Sequence, residues 1–502
     1  MSGRKLIKGT VWGLAGQATT VAASAVFTPI VVRQLGASAY GILVFLNLLT
    51  SYLAYSDLGM GTASTRFASI EVSAGSNRET QVIWTGVGLS TIVAAMVAVL
   101  IIVLAPAISN GLLHVESPLR GQTIAAMRIV GIAFLFKNIA GVLNTPQLVR
   151  LRFDTYTAIT SGVVFLQVML TPIVLWLGGD LVTIAVMIAV INFCALGLHF
   201  VVGRRLLPEL WPPRADAALF WPLLHFGVLV VFSQIPELIL ANAERFGLAY
   251  FTSVAKLGYY SLAYTYASLS IVAAIAMGQV LLPMFSQLQS SADAEQLGRL
   301  YRRSIVSLAF TLAPIAVVLA IVARPVLATL VGQDYGREST PACYVLLGGV
   351  VFGGLSYVPL SLLFASNKGS VAARIRWYEL VPYFMVAAFL TKKFGIVGAA
   401  TAWTLRALVD SLLLTLAVQR WKGLVSFSVG SALRYAGALA FLVPPIILVA
   451  VVHVKWMWAA FLTCGCLMLY VFNLWRHILT AAEKFWVAGL SRRILPPFVL
   501  LR

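Results

Sequence analysis

Apolar segments of membrane length follow one another along almost the whole chain, with only short loops between them. An α-helix needs about 20 residues to cross a bilayer core about 30 Å thick, because it rises about 1.5 Å per residue. The segments that meet this requirement are the fourteen at 9–32, 41–62, 82–105, 122–145, 156–177, 181–202, 219–241, 247–285, 304–323, 341–365, 375–391, 395–418, 433–452 and 456–475. The eighth is the longest, the sequence at 242–262 is polar, and Pro283 is the candidate for a break within it.

The composition excludes a water-soluble fold. The chain has 502 residues, of which 60% are hydrophobic and 11% are charged, whereas about a quarter of the residues in a soluble domain are charged. The first apolar segment contains Ala23-Ser24-Ala25, which looks like a signal-peptide cleavage site, but it continues to Val32 and is long enough to span the membrane. We therefore predict an all-α polytopic membrane protein with about 14 transmembrane helices and an uncleaved first helix.

Positively charged residues are distributed unequally between alternate loops. With the N-terminus inside, 24 of the 36 Lys and Arg residues fall on the N-terminal side, 9 fall on the opposite side and 3 lie within spans. Because cytoplasmic loops carry an excess of Lys and Arg, this bias predicts that both termini are cytoplasmic. The net charge of +19 is spread over short loops without a basic domain or an RNA-binding motif, so we expect no nucleic-acid partner.

Two Leu-Gly turns, one in each half of the chain, indicate an internal duplication. Each leads into a Tyr-containing apolar run, the first at 35–41 and the weaker copy at 256–264. The loops at 203–218 and 419–432 are the predicted linkers. The predicted domains are an N-terminal six-helix lobe at 1–210, a C-terminal six-helix lobe at 211–425, and an additional transmembrane helix pair with a cytoplasmic tail at 426–502.

Several short motifs, in a fixed order along the chain, carry a resemblance to a known family. They are Leu-Gly-x-x-x-Tyr-Gly at 35–41, Asp-Leu-Gly-Met-Gly at 57–61 followed by Thr65-Arg66, Leu-Gly-Tyr-Tyr-Ser-Leu-Ala-Tyr at 257–264, Leu-Pro-Met-Phe-Ser at 282–286 and Phe-Gly-Ile-Val-Gly-Ala-Ala at 394–400. Together they resemble the Wzx-type polysaccharide flippases of the multidrug/oligosaccharidyl-lipid/polysaccharide exporter superfamily.

The resemblance implies a fold, a cargo and a location. The fold would be two six-helix lobes around a central cavity, with an extra C-terminal helix pair. The cargo would be undecaprenyl-diphosphate-linked oligosaccharide, moved from the cytoplasmic to the outer leaflet of the bacterial inner membrane by alternating access between the lobes. Membrane lipids, a polysaccharide polymerase and a chain-length regulator are the further partners that it implies.

Cations within the spans are the candidates for binding the diphosphate of such a cargo. An ionisable side chain inside a span costs about 2.5–3.5 kcal/mol on insertion scales and therefore marks a functional site. Lys137 and Arg406 lie near the middle of the fourth and twelfth spans. Arg128, nine residues before Lys137, falls on the opposite helix face and is assigned to the outer mouth, while Arg66 is assigned to the cytoplasmic mouth. The alternative is a structural Arg406–Asp410 pair at i,i+4, with Lys137 extending along a helix interface.

Carboxylates near or within the spans are candidates for ion coupling or gating. Asp57 ends the second span ahead of two glycines, and this turn is either a hinge or a helix exit capped by Asp57. Glu237 and Glu244 are seven residues apart and share a helix face. Proton exchange on that face would suit coupled transport, and the alternative is an extracytoplasmic rim in which Glu244 pairs with a nearby cation. Asp410, one turn after the mid-span arginine, is a further candidate.

The chain lacks the motifs of soluble-enzyme chemistry. It contains no HExxH, P-loop or G-x-S-x-G motif. Its four cysteines lie within apolar runs and its five histidines show no metal-ligand spacing. We therefore expect a transporter rather than an enzyme, with no cofactor and no metal site.

Two other functions compete with the flippase interpretation. A MATE-like multidrug/cation antiporter would share the fold but would favour an acidic or apolar cavity, whereas the mid-span charges here lean basic. A membrane-bound glycan polymerase or ligase would need catalytic groups at the extracytoplasmic face, usually on a large loop, and the predicted outer loops are short.

Overall fold

The computed structural model describes residues 3–53, 58–76, 78–113, 115–290, 294–422, 456–473 and 476. Within these ranges the regular elements are helical and no strand is present, which confirms the all-α prediction. Eight helices in the described part are long and apolar enough to cross a membrane, and the bent pair Ala217–Phe232 and Gln234–Phe251 would add a ninth. The predicted count of fourteen spans is therefore not confirmed, and the predicted span 433–452 lies outside the described residues.

The helices are numbered in chain order. They are α1 (Gly3–Leu53), α2 (Met60–Ser73), α3 (Glu79–Ala107), α4 (Ser117–Leu143), α5 (Thr145–Val149), α6 (Phe153–Trp176), α7 (Leu181–Leu206), α8 (Phe220–Phe251), α9 (Val254–Ser268), α10 (Val272–Ser290), α11 (Ala294–Leu330), α12 (Gln333–Leu355), α13 (Tyr357–Ala365), α14 (Gly369–Lys422) and α15 (Trp456–Asn473). We refer to α1–α7 as the first half and to α8–α14 as the second half.

Glycines interrupt the two longest helices. Gly36 in α1 has φ 73° and Gly395 in α14 has φ 57°, conformations that favour a residue without a Cβ. A Cβ added to Gly398 would lie only 1.9 Å from the carbonyl oxygen of Leu390, although eight residues of straight helix span about 12 Å, so the chain reverses at Gly395. The predicted turn at 35–41 is present as the break in α1. Helix α14 contains two predicted spans, and α1 contains the first predicted span and most of the second.

The predicted break at Pro283 is wrong. Helix α10 is continuous across this position, and the predicted eighth span is interrupted instead at 252–253 and at the 3-10 turn Leu269–Ile271. A membrane helix tolerates Pro when neighbouring groups replace the one hydrogen bond that it removes. At Ser253, by contrast, the side chain accepts a hydrogen bond from the N–H of Lys256 at 3.2 Å and caps a new helix, α9.

The order of the elements in the first half recurs in the second. Helix α4 is followed by the short α5, and α12 is followed by the short α13. The adjacent helices α6 and α7 correspond to the two halves of α14. Helix α15 packs on α11, where the hydroxyl of Tyr470 donates to the carbonyl oxygen of Phe310 at 2.8 Å. The domain boundaries near residues 210 and 425 stay a prediction.

The two halves approach each other closely where α1 meets α9. A Cβ added to Gly41 would lie 1.9 Å from the carbonyl oxygen of Val254, and one added to Gly258 would lie 2.7 Å from that of Ala37. Such distances require glycine, because any side chain would force the backbones apart. Around these contacts an apolar cluster combines residues of both halves. We call this packed interface between α1 and α9 the seam.

A second close contact joins α2 to α8. Gly59 has φ 68°, and a Cβ placed on it would lie 2.7 Å from the carbonyl oxygen of Gly227. A Cβ on Gly227 would in turn lie 2.1 Å from the carbonyl oxygen of Leu58. The two halves therefore touch through small residues at two separate places.

Asp216 fixes the segment that connects the halves to the first half. Its carboxylate accepts hydrogen bonds from the N–H of Ala218 at 2.8 Å and from Nη2 of Arg78 at 2.5 Å. Its own N–H donates to the hydroxyl of Thr85 at 2.9 Å. The backbone hydrogen bond from Ala218 and the nearby Arg78 guanidinium lower the pKa of Asp216, which keeps this anchor ionised at neutral pH.

Replacing Gly41 by Ala is expected to lower the stability of the protein by about 1–3 kcal/mol, because the added methyl overpacks the seam between the halves. Thermal unfolding of the purified protein in detergent, followed by tryptophan fluorescence, measures the change. Gly88→Ala is the matched control, since Gly88 lies in α3 with no atom within 4 Å of an added Cβ, and Ala is favoured over Gly in a helix. An unchanged melting temperature for Gly41→Ala would contradict the close contact.

Candidate functional site

Ionisable side chains of α8 and α14 meet in the interior of the second half. Nη1 of Arg376 lies 2.8 Å from Oε2 of Glu237. Arg406 lies 4.0 Å from the same Glu237 oxygen and, through its Nε, 4.0 Å from Oε2 of Glu379. The Arg376 and Arg406 side chains are only 18% and 12% exposed. These four residues form the arginine–glutamate network, which links the two helices through charge.

Asp410 lies next to this network. It follows Arg406 by one turn in α14 and is buried, yet no ion pair within 4.0 Å joins the two side chains in the described part of the chain. The guanidinium of Arg406 lies within ion-pair distance of Glu237 of α8 instead, so the interhelical ion pair takes the place of the expected i,i+4 pair. Oδ1 of Asp410 and both carboxylate oxygens of Glu379 are buried without a hydrogen-bond donor among the described residues, and such acceptors are costly unless a proton or cation compensates them.

Glu244 is fully buried between α8, α9 and α14. Its carboxylate accepts hydrogen bonds from the hydroxyls of Tyr383 at 2.6 Å and Tyr260 at 3.1 Å. Nε of Arg245 lies 3.8 Å from the same carboxylate, and the guanidinium of Arg245 stacks 4.1 Å from the ring centre of Tyr264. Glu244 therefore has the cation partner that the rim alternative expects, but it lies in the interior, because α8 continues two turns beyond it to Phe251.

The first half contributes to this region through the end of α1. The hydroxyl of Tyr52 donates to the carbonyl oxygen of Ile239 in α8 at 3.3 Å. The rings of Tyr52 and Phe246 pack edge to face with their centres 4.8 Å apart. Glu244 and Glu237 thus lie on α8, the helix that also bears this contact between the halves.

Lys137 and Arg128 lie outside the network. Both side chains are exposed on α4, which packs mainly on α3 and α7. Neither has a hydrogen bond or an ion pair with another described residue. Their nine-residue spacing directs them to opposite faces of α4, as expected. The structure does not bring Lys137 together with Arg406.

Arg66 lies on α2, beside the second contact between the halves. Its guanidinium stacks 4.3 Å from the ring centre of Phe226 in α8 and 5.6 Å from that of Phe67. Just before α2, Leu58 has φ 52° and Gly59 has φ 68°, which interrupts regular helix at the predicted turn. Asp57 lies outside the described residues.

Sequence reasoning missed several residues of the site. Arg376 lies at the start of the predicted span 375–391, and the structure places it inside α14, where it pairs with Glu237. A usable signal was available, because Arg376 and Glu379 both fall within the predicted span 375–391 and ionisable residues there are expensive. Tyr383 is on the same helix, but its role depends on contact with Glu244, which the sequence does not reveal.

A cavity of about 230 Å³ lies beside the network. It is bordered by Glu379, Tyr383 and Arg406 together with apolar residues of α14. No group of three or more metal-ligating side chains is present in the described part of the chain. The arrangement is suited to holding charge inside the protein, with carboxylate oxygens left open to a small cation or a proton.

A family model and a protein of known sequence both match this chain over more than half of its length. The family model described as "Polysaccharide biosynthesis protein" matches residues 30–339, more than half of the chain. A protein of Shigella flexneri named "Putative O-antigen transporter" is 24% identical over 420 residues, which cover 82% of this chain and 96% of that protein.

Solved structures share the fold at low identity. The lipid II flippase MurJ in an inward closed conformation aligns with a TM-score of 0.68 at 11% identity, covering 97% of this chain and all 100% of that one. An inward-facing multidrug resistance MATE family transporter of the MOP superfamily aligns with a TM-score of 0.62 at 15% identity, covering 83% of this chain and 94% of that one. The fold is that of MOP-type transporters.

Tyr383→Phe is expected to destabilise the protein by about 1–3 kcal/mol, because it removes a hydrogen bond from a fully buried carboxylate. Thermal unfolding in detergent measures the loss. The matched control is Tyr378→Phe, on the same helix, since Tyr378 is 78% exposed and its hydroxyl is expected to add little. Equal melting temperatures for the two variants would mean that Tyr383 does not support Glu244.

Proposed function

The chain belongs to the polysaccharide biosynthesis protein family, and we propose that it is a flippase for undecaprenyl-diphosphate-linked oligosaccharide. It would carry this cargo from the cytoplasmic to the outer leaflet of the bacterial inner membrane by alternating access. A polysaccharide polymerase and a chain-length regulator would act on the delivered cargo. Both termini would be cytoplasmic, in agreement with the distribution of Lys and Arg.

The observation that carries the proposal is that the family match over residues 30–339 and the fold match over 97% of the chain are both compatible with transport of a lipid-linked glycan. The family model is one of polysaccharide biosynthesis, and the fold aligns over 97% of the chain with a lipid II flippase. The relative from Shigella flexneri is named "Putative O-antigen transporter". A lipid-linked glycan is a cargo that is compatible with all three descriptions.

We assign the diphosphate of the cargo to the unpaired cations of the first half. Arg406 is already compensated by Glu237 and Glu379, so it has little attraction left for an anion. Lys137 has no such partner among the described residues, and a mid-span ammonium of this kind is expensive unless an anion visits it. Arg128 and Arg66 would guide the head group at the two mouths.

We assign ion coupling to the carboxylates of the second half. Glu379 and Asp410 have buried oxygens that lack donors among the described residues, and Glu237, 47% exposed, connects their network to the surface. Uptake of a proton or a small cation would compensate the charge of these oxygens. It would also weaken the attraction between the arginines of α14 and Glu237 of α8. Because α8 also bears contacts between the halves, loading the site would alter how the halves pack.

The small-residue contacts between the halves support alternating access. At both contacts glycines let the backbones of the two halves approach closely, as in helix interfaces that can slide or separate during transport. A multidrug antiporter would have the same fold, and the cargo assay below distinguishes the two functions. A polymerase or ligase is disfavoured because no sizeable domain stands between the described helices.

Lys137→Ala is expected to abolish cargo transport, because it removes the unpaired charge that would attract the diphosphate. The gene is deleted in its host, and lipid-linked oligosaccharide is measured separately on each leaflet after complementation. Wild type and Lys137→Arg should restore outward delivery, and Lys137→Ala should not. Arg205→Ala, which removes an exposed cation at the end of α7, should complement fully once membrane levels are matched.

The results distinguish an error in the assigned binding residue from an error in the proposed function. Full complementation by Lys137→Ala would leave the transport proposal standing without this residue. Normal outward delivery in the deletion strain would overturn the flippase function and direct attention to drug efflux.

Asp410→Asn is expected to uncouple transport from the ion gradient, since the amide cannot exchange a proton or hold a cation as a carboxylate does. Transport by the purified protein in liposomes, with and without an imposed proton or sodium gradient, measures the coupling. Asp334→Asn, an exposed position at the start of α12, is the control. A gradient response that persists in Asp410→Asn would contradict the assignment.

A further inference from the structure

A basic cavity of about 700 Å³ lies where the α8–α9 junction, the start of α12 and the turn at Gly395 come together. Its volume is within the range of about 300–1,000 Å³ that is typical of small-molecule sites. Its lining includes the cations Lys256, Arg337, Lys392 and Lys393, whereas Glu338 is its one carboxylate. Four positive charges against one negative charge make this a site for an anion.

The cations of this cavity are not neutralised within the protein. The side chains of Lys256, Arg337 and Lys392 are exposed, and no ion pair with a described carboxylate involves them. The ammonium of Lys393 lies 5.4 Å from the ring centre of Phe394, a cation–π contact that leaves its charge in place. Because like charges around one cavity repel one another, a bound anion would stabilise the arrangement.

Two helix starts add to the positive potential. Helix α9 begins immediately after Ser253, and the second part of α14 begins after the break at Gly395; both residues line the cavity. Nζ of Lys256 lies 3.9 Å from the position of a Cβ on Gly395, which brings the two starts and the cation together. Backbone N–H groups at helix starts carry partial positive charge and bind phosphate groups readily.

Exposed aromatic rings border the same cavity. Phe251 and Phe394 line it and are 39% and 55% exposed, and Phe389, next to Lys393, is 63% exposed. Aromatic rings combined with lysines are typical of the depth at which lipid head groups lie. The anion that fits this surface is therefore one attached to a lipid tail.

The position of these cations runs against the general charge bias of the chain. The predicted topology places all four on the extracytoplasmic side, where only nine Lys and Arg residues fall. Short translocated loops normally avoid positive charge. A cluster on this side consequently calls for a binding role.

We propose that this cavity binds the phosphate group of a lipid head group in the outer leaflet. The phosphate could belong to the diphosphate of delivered cargo or to an anionic phospholipid. The first source rests on the proposed function, and the second does not. Bound there, delivered cargo would be held at the outer leaflet and kept from crossing back.

The test follows the reactivity of the lysines themselves. The purified full-length protein is acetylated with a water-soluble amine reagent, and the modification of Lys256, Lys392 and Lys393 is measured by mass spectrometry. The probes are farnesyl diphosphate, dioleoylphosphatidylglycerol and uncharged farnesol, each in detergent micelles. Farnesyl diphosphate is expected to protect the three lysines, and farnesol is expected to leave them reactive.

A matched pair of variants tests the site without removing a reporting amine. Arg337→Gln should raise the concentration of farnesyl diphosphate needed for half protection about tenfold, or about 1.4 kcal/mol. Arg324→Gln should leave it unchanged, because Arg324 is exposed on the same predicted side of the same half but does not line the cavity.

The probes identify the source and can overturn the proposal. Protection by the diphosphate alone indicates the cargo, and equal protection by phosphatidylglycerol indicates bulk phospholipid; both support a phosphate site. Protection by farnesol, no protection by either anion, or an unchanged Arg337→Gln would overturn it. The leaflet assay of the deletion strain is independent, so failure of the flippase function and failure of this site are distinguishable.

Discussion

Burial of charge in a chain that lipid surrounds is the constraint on which the second half depends. Glu244, Glu379 and Asp410 are all buried there, and an isolated charge in such surroundings costs several kcal/mol. The protein offsets this cost with arginines and tyrosines from neighbouring helices. Because Tyr260 of α9 and Tyr383 of α14 contact Glu244 of α8, and the arginines of α14 lie beside Glu237 of α8, these contacts also hold α8, α9 and α14 together.

The two halves repeat an order of helices but differ in their chemistry. In the described part of the first half, Glu79 is the buried carboxylate, and Arg150 binds it with two hydrogen bonds of 2.6 and 3.0 Å near the helix ends. Lys137, deeper in the first half, has no described partner. The same order of helices thus carries a nearly neutralised ionic network in the second half and an unpaired cation in the first half. This division suits separate sites for the cargo and the coupling ion.

Several features could be predicted because they depend on local sequence. The membrane class follows from apolar segments, and the break at Gly36 follows from a residue without a Cβ. Predictions that depended on neighbours were less successful. Pro283 does not break its helix, and Glu244 is fully buried among side chains of three helices rather than at a rim. In each case the outcome depends on what a different helix places beside the residue.

The sequence by itself determined that the chain is helical, has apolar segments long enough to cross a membrane and carries a few expensive charges within them. Hydrophobic length, glycine positions and the cost of burying charge are properties of short stretches and can be read along the chain. Only the tertiary structure decided that Arg406 pairs with Glu237, that Tyr383 supports Glu244, and that four cations from three separate segments surround one cavity. Those pairings join residues as much as 169 positions apart, and their energies depend on distance in space, which no local pattern records.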